Sequence, residues 1–468
     1  MRARHPACTW LVAASVAGFC SCPQTAAAQA TRAWGRISFF TNVSSTSDTD
    51  GDRRSLGEFV TTVTYRSPEE ADTAMDVGFD GRFAGYSGSE RDPRVSLYDA
   101  WVGTRLMDGA LRVRGGQLWL NELGAIGAIM GGVVEYRRPV GSGHLRTAGF
   151  GGLEPNTYEA GYVEDVRRYG GYLAYDGQGA QRSVLGYVLI RNGDLTERSV
   201  LTTTNYVPVG QRVFIYQAAE VDLQGPAGQG SGGLTYFFVN GRVTPTPRLD
   251  IQGTFHRGLS IDARTITLDQ MNGRPIPPKL LDGLLFESAG GRVTVEVARG
   301  VRVFGGYGID KNNQDSEQTT RVTAGGYANN VAGSGVDATV SFSRFDRGMP
   351  GSFDSWYFSV GRSLTSKIYL SGDYTSSLSV ARFTSDAGLI VETRPQTDRY
   401  SGSAVVNLTR LVSLLVTLEY ANDDAYTDAR LLAGASYRHP RARKWGHSSF
   451  SRVSFLTHRG HCREYWVA

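Results

Sequence analysis

From Arg32 to Tyr437, apolar and polar residues trade places at every second position, segment after segment. In Asp76–Phe83 one face reads Val, Phe, Gly, Phe and the other Asp, Gly, Asp, Arg. Val293, Val295 and Val297 oppose Arg292, Thr294 and Glu296; Leu249, Ile251, Gly253 and Phe255 oppose Asp250, Gln252, Thr254 and His256. A period of two is the signature of a strand with one greasy and one wet face. No helix of ordinary length competes with it, so the chain is expected to be all-β.

Between these segments tight connections alternate with long polar ones. Met107-Asp108-Gly109, Thr244–Pro247, Ala298–Gly300, Ser363–Lys367 and Thr409–Leu411 are tight; Val43–Leu56, Pro155–Tyr169, Leu259–Glu287 and Val380–Asp398 are long. Starting a strand at Arg32 and ending one at Arg430–Tyr437 gives 18 to 22 strands, with 22 the best count if tight and long turns alternate strictly. Short turns at one end and long loops at the other are the asymmetry of a transmembrane antiparallel up-and-down β-barrel.

The first residues read as an export signal. Arg2 and Arg4 precede the apolar run Trp10–Phe19, and Ala28-Gln29-Ala30 fits a cleavage site, so residues 1–30 are expected to be removed after Ala30. Cys20 and Cys22 follow Phe19 and Ser21, where lipoprotein signals prefer Gly or Ala, which disfavours a lipid anchor. Beyond the signal only Cys462 remains, so no intrachain disulfide can staple the mature chain. No run of 18 apolar residues follows residue 30, and none of the segments suits a membrane-spanning helix. The formal charge of +4 is uneven. The tail from Arg438 carries seven Lys/Arg against Glu464, and residues 31–437 are left at about −4, which disfavours a nucleic-acid partner.

Alternation alone does not separate a soluble sandwich from a membrane barrel. The number and even spacing of the segments favour the barrel. So do aromatics near their ends, at Tyr98/Trp101, Trp119, Tyr136, Tyr307, Trp356/Tyr357 and Tyr420, where an interfacial girdle would lie. An arginine facing lipid at the bilayer midplane costs roughly 2–4 kcal/mol, and a dozen would exceed the ~5–15 kcal/mol that holds an ordinary domain together. Asp76, Asp80, Arg82, Arg112, Arg114, Glu135, Arg137, Glu296 and Arg302 should therefore line the lumen, with Val77, Phe79, Val113, Val134, Tyr136, Val295 and Val303 against lipid.

The stretch YDAWVGTRLMDGALRVRGGQ (Tyr98–Gln117) resembles the hairpins of Gram-negative porins: an aromatic, glycine-rich strand, a tight turn, then an arginine-bearing strand. ARLLAGASY (Ala429–Tyr437) resembles the terminal insertion signal of outer-membrane barrels, which implies delivery by the barrel-assembly machinery through the last strand. The resemblance is one of architecture across residues 31–437. The chain departs from it twice. It continues past Tyr437 as a basic extension, 438–468, expected to be irregular. In place of the acidic constriction-loop motif stands WLNELGAIGAIMGG (Trp119–Gly132). Either this segment folds inward, with Glu122 facing Arg112 and Arg114 and joining the lumen-lining residues, or it is an ordinary outer loop.

Signals for chemistry are weak. No G-x-S-x-G elbow occurs, His256 reads as a wall residue, and His458–Cys462 lacks the ligands a structural metal site needs. Neither GGYGID nor GAIGAIMGG opens a helix after a buried strand, so no phosphate cradle is expected. Neither an enzyme nor a cofactor is called for. The first strand follows the cleavage site directly, leaving no expected room for a plug or passenger. The leading expectation is a porin-like barrel of the outer membrane that passes small hydrophilic solutes, contacts lipid and lipopolysaccharide, and forms a homo-oligomer in the porin analogy. The alternatives are a closed or loop-plugged barrel with an adhesive, surface-binding or structural role, and a soluble secreted β protein.

Overall fold

A computed structural model describes residues 34–438, apart from 49–50, 68–74, 89–90, 157–160, 227–229, 316 and 385–389, together with 451–456 and 462–467. The expected signal peptide lies outside the described residues.

Twenty-two strands close on themselves in one antiparallel barrel. They are β1 (Trp34–Asp48), β2 (Arg53–Arg66), β3 (Met75–Ser87), β4 (Arg94–Leu106), β5 (Leu111–Trp119), β6 (Ala128–Val140), β7 (Gly143–Pro155) and β8 (Tyr162–Asp176). There follow β9 (Arg182–Asn192), β10 (Leu195–Val209), β11 (Val213–Gln224), β12 (Gly230–Thr246), β13 (Leu249–Ser260), β14 (Leu284–Ala298) and β15 (Val301–Asn312). The ring is completed by β16 (Thr319–Ala328), β17 (Val336–Asp346), β18 (Gly351–Thr365), β19 (Ile368–Thr384), β20 (Gln396–Asn407), β21 (Val412–Asp423) and β22 (Tyr426–Arg438). Each strand pairs with the next, and β22 returns to β1 in continuous register from Arg36↔Arg438 to Asp48↔Tyr426. Closure leaves no free sheet edge, so every spanning N–H and C=O can be paired within the wall.

Two observations tell the faces apart. Val188 and Val200 are wholly buried beneath a connecting segment that lies inside the ring, so the face they share is the inner one. On the opposite face Val77, Phe79, Val134, Tyr136, Val295 and Val303 stand exposed, where a bilayer would cover them. Cross-strand pairing carries the inner face round the wall: Thr202↔Glu220, Glu220↔Tyr236, Tyr236↔Gly258 and Gly258↔Phe286 all lie on it.

The hairpin β4–β5 turns at 107–110, as its sequence predicts. Met107, Asp108 and Gly109 all have positive φ (55°, 54° and 83°), and Ala110 N donates to Met107 O at 3.0 Å. Glycine takes this conformation freely and Asp tolerates it.

Several expected loops are strand instead. Of Val43–Leu56 only 49–52 connects β1 to β2, and 156–161 replaces Pro155–Tyr169. Where Val380–Asp398 was expected to loop, β19 runs to Thr384 and a short strand, Ile390–Thr393, extends its hairpin with β20. Polar residues end a spanning segment but do not stop a ladder that water can still solvate. The connection after β13 is long, at 261–283, and holds helices expected from no periodicity: α1 (Ala263–Met271) and α2 (Pro278–Asp282). Asp262 caps α1 by accepting Thr265 N at 3.0 Å. In the extension, where irregular chain is expected, Ser451–Leu456 and Cys462–Val467 pair as a separate hairpin.

Candidate functional site in the barrel lumen

β5 stops at Trp119, where the alternation gives way to Asn121–Gly127 (NELGAIG), a 3-10 segment broken at Gly124 by a φ of 61°. Leu120 N donates to Gly127 O at 3.0 Å and closes its base. The segment turns into the ring. Leu118, Leu120, Leu123, Ile126 and Ile129 join Val166, Tyr172, Val184, Val188, Ile190 and Val200 of the inner wall in one apolar cluster. Burying a large aliphatic side chain is worth about 1.5–3 kcal/mol, so an outward loop would forgo several such contributions. The wall makes room: a Cβ on Gly186 would stand 2.2 Å from Leu123 Cδ2. Of the two readings open for Trp119–Gly132, the inward one is the fold.

Ion pairs fasten the segment. Glu122 accepts from Arg146 Nη1 at 2.8 Å and from Arg182 Nη2 at 2.6 Å. Arg146 also reaches Glu135 at 2.9 Å and Asp176 at 2.6 Å, and the Tyr172 hydroxyl donates to Glu135. The expected partners of Glu122, Arg112 and Arg114, are engaged elsewhere. Arg112 bonds Asp76, which Arg105 reaches at 3.4 Å. Arg66, Arg112 and Arg114 place their guanidinium carbons 5.7, 5.5 and 5.4 Å from the Trp101 ring. Trp101 is therefore not a girdle residue. It is buried on the inner face, donating Nε1 to Asp99 Oδ2 at 3.2 Å. Parity held the signal: Trp101 is in phase with Asp99, Gly103 and Arg105. Tyr357 is likewise inside, donating to Asp373 Oδ1 at 2.5 Å, while Tyr98, Trp119, Tyr136, Tyr307, Trp356 and Tyr420 stand exposed on the outside.

The other sequence-predicted wall residues also fall on the inner face by register. Asp80 accepts from Thr64 Oγ1 at 3.5 Å, Arg82 pairs with Glu58 at 3.1 Å, and Arg302 pairs with Glu296 at 3.2 Å. Arg137 is exposed on that face opposite Arg146. Sequence reasoning missed Arg146 and Arg182, which meet at Glu122, and Arg66 and Asp99, which pair with each other. It also missed a second tie: Arg264 of α1 reaches back to Glu154 at 3.0 Å and Glu197 at 2.7 Å, with Ile266 and Thr267 fully buried beside it. Among the described residues no group of three or more His, Cys, Asp or Glu could hold a metal ion. His458 lies outside the described residues.

No family model and no curated protein matches the sequence. Solved structures do. The barrel resembles Gram-negative outer-membrane β-barrel channels. It is similar to OccAB4 of Acinetobacter baumannii, at a TM-score of 0.42 and 10% identity over 88% of this chain and 99% of that one. It is similar to OpdQ of Pseudomonas aeruginosa, at 0.40 and 9% over 87% and 98%. It is also similar to the translocation pore of the P pilus usher PapC, at 0.47 and 11% over 87% and 100%.

The latch has a pH signature. Burial pushes the Glu122 carboxyl up, but Arg146 and Arg182 outweigh it and hold its pKa below the ordinary carboxylate value. A depressed folded pKa contributes stability that is present above the unfolded value, about 4.3, and lost as pH falls through the folded one. The segment should therefore stay seated from neutral pH down to about 5 and loosen only in stronger acid. Elastase cleavage between Leu120 and Ile129, probed by brief pulses after acid exposure, reads this out. Release already at pH 6 would contradict the latch, and E122Q should remove the acid dependence.

Proposed function

We propose that the chain is an outer-membrane channel through which small hydrophilic solutes diffuse, with the inward segment Asn121–Gly127 setting its bore. The observation that carries this reading is the inversion of the barrel. Apolar side chains cover the outside, and paired arginines and carboxylates cover the inside, away from the lipid that would make them prohibitively costly. On this reading Asp76, Asp80, Arg82, Arg112, Arg114, Glu122, Glu135, Arg137, Glu296 and Arg302 are pore-lining. Their fixed charges would set a transverse field that orders passing dipoles and ions. Residues 1–30 would direct export and be cleaved after Ala30, and β22 would be read by the assembly machinery.

Protein refolded into a planar bilayer should give ohmic current steps, and addition of small polar solutes to loaded vesicles should cause swelling. The apolar seating of Leu123 and Ile126 and the Arg264 tie favour a second reading, a plugged barrel with a surface-binding or structural role. Absence of steps from the intact chain, with steps regained on deleting 121–127, would select it.

A further inference from the structure

On the inner face of β10–β14, clear of the inward segment, aromatic rings follow one another from strand to strand. Phe214 and Tyr206 stand with ring centroids 5.0 Å apart, and Tyr206 and Tyr216 also at 5.0 Å. Tyr216 to Phe238 is 5.7 Å, Phe238 to His256 6.2 Å, and His256 to Phe286 5.8 Å. Tyr236 closes on His256 at 5.4 Å. The steps combine direct cross-strand partners (Tyr206↔Tyr216, Phe238↔His256) with diagonal ones. The track thus climbs from beside the 210–212 turn to the long-loop end, where β14 begins. With strands about 4.8 Å apart, it crosses roughly 20 Å of wall. Of its rings, Tyr206 and Phe286 are 40% and 37% exposed.

Rings inside an aqueous lumen need a reason. They are not sealed into the apolar cluster that seats the inward segment, since none of them belongs to it. Neutral hydrogen-bonding groups flank them on the same face: Asn240 beside Tyr216, Thr254 beside Asn240, Ser288 beside His256, and Gln252 one step on. Arg242, the cross-strand partner of Phe214, is paired with Asp250 at 2.5 Å, and the arginine stack around Trp101 lies on β2–β5, away from the track. Aromatic faces with amide and hydroxyl groups alongside suit a ligand that has apolar ring faces and a hydroxyl-bearing rim. A fatty chain would leave the amides unpaired, and an anion would favour the arginines.

We propose that this track binds neutral oligosaccharides, whose pyranose faces stack on Tyr206, Tyr216, Phe238 and Phe286 while their hydroxyls bond the flanking amides and hydroxyls. The proposal rests on the channel reading for its physiological sense, but its test does not need conduction. Calorimetric titration of the full chain in detergent with maltotriose and with cellotriose is expected to give saturable binding to at least one. Y216L and F238L, which keep bulk but remove the ring, should each weaken it about five-fold or more, with the barrel's far-ultraviolet dichroism unchanged. F255L, on the outer face of β13, should leave it unaltered. Binding without bilayer conductance would leave the track standing and sink the diffusion reading. Conductance without saccharide binding would sink the track alone. Saturable binding of benzoate or laurate, lost in the same variants while saccharides fail to bind, would also overturn it.

Discussion

Replacing Arg146 with alanine is expected to unseat the inward segment and widen the bore. Arg146 is the common partner of Glu122, Glu135 and Asp176, at 2.8, 2.9 and 2.6 Å, and its side chain is only 13% exposed. Its loss takes from Glu135 its ion pair and leaves Glu122 to Arg182 alone, in a part of the wall where little water screens the carboxylates. Removing one partner of such a buried network costs about 3–5 kcal/mol. The cheapest escape is to swing Glu122 out, which takes Leu123 and Ile126 off the wall. Single-channel conductance should rise about two-fold or more, and elastase should cut between Leu120 and Ile129 at neutral pH. R146K should restore only part of the latch, because an ammonium cannot serve several carboxylates with the geometry of a guanidinium. Wild-type conductance and protection in R146A would show that apolar packing alone holds the segment.

The second large effect tests which way the barrel faces. Val134 sits mid-strand on the outer face of β6, 48% exposed in the absence of lipid. V134R should lower the stability of the barrel in phospholipid vesicles by about 2–4 kcal/mol, read from urea unfolding. The same side chain placed inside should cost far less. Ser355 on β18 is flanked across strands by Ser343 and Ser377, which leaves room and water for a guanidinium, so S355R should be nearly neutral. Equal costs for the two variants would reject the inside-out orientation.

These two sites differ in how far the sequence reveals them. Val134 is legible: its neighbours Val133 and Glu135 fall on the other face by parity alone, and the same rule with strict alternation of tight and long turns brought the count of 18 to 22 strands to 22. Even Trp101 obeyed the rule, and its misassignment to a girdle came from weighing aromatic type above phase. Loop lengths were less legible, because strands such as β1, β2 and β19 continue as ladders beyond the apolar band. The partner of Glu122 was not legible at all. Arg112 and Arg114 are nearest in sequence, yet Arg146 and Arg182 come to it from β7 and β9.

The sequence by itself therefore determined the wall's strands and their two faces, and the cost of an arginine in lipid assigned each face its side. Strands and faces follow from a period of two, a local property of the backbone that every residue carries with it. Only the tertiary structure decided what fills the wall. Where Leu123 lands, which arginines meet Glu122, and how Tyr206, Tyr216, Phe238, His256 and Phe286 line up depend on closure, stagger and chords across the ring. Closure brings together residues far apart in the chain, and no local periodicity records those distances.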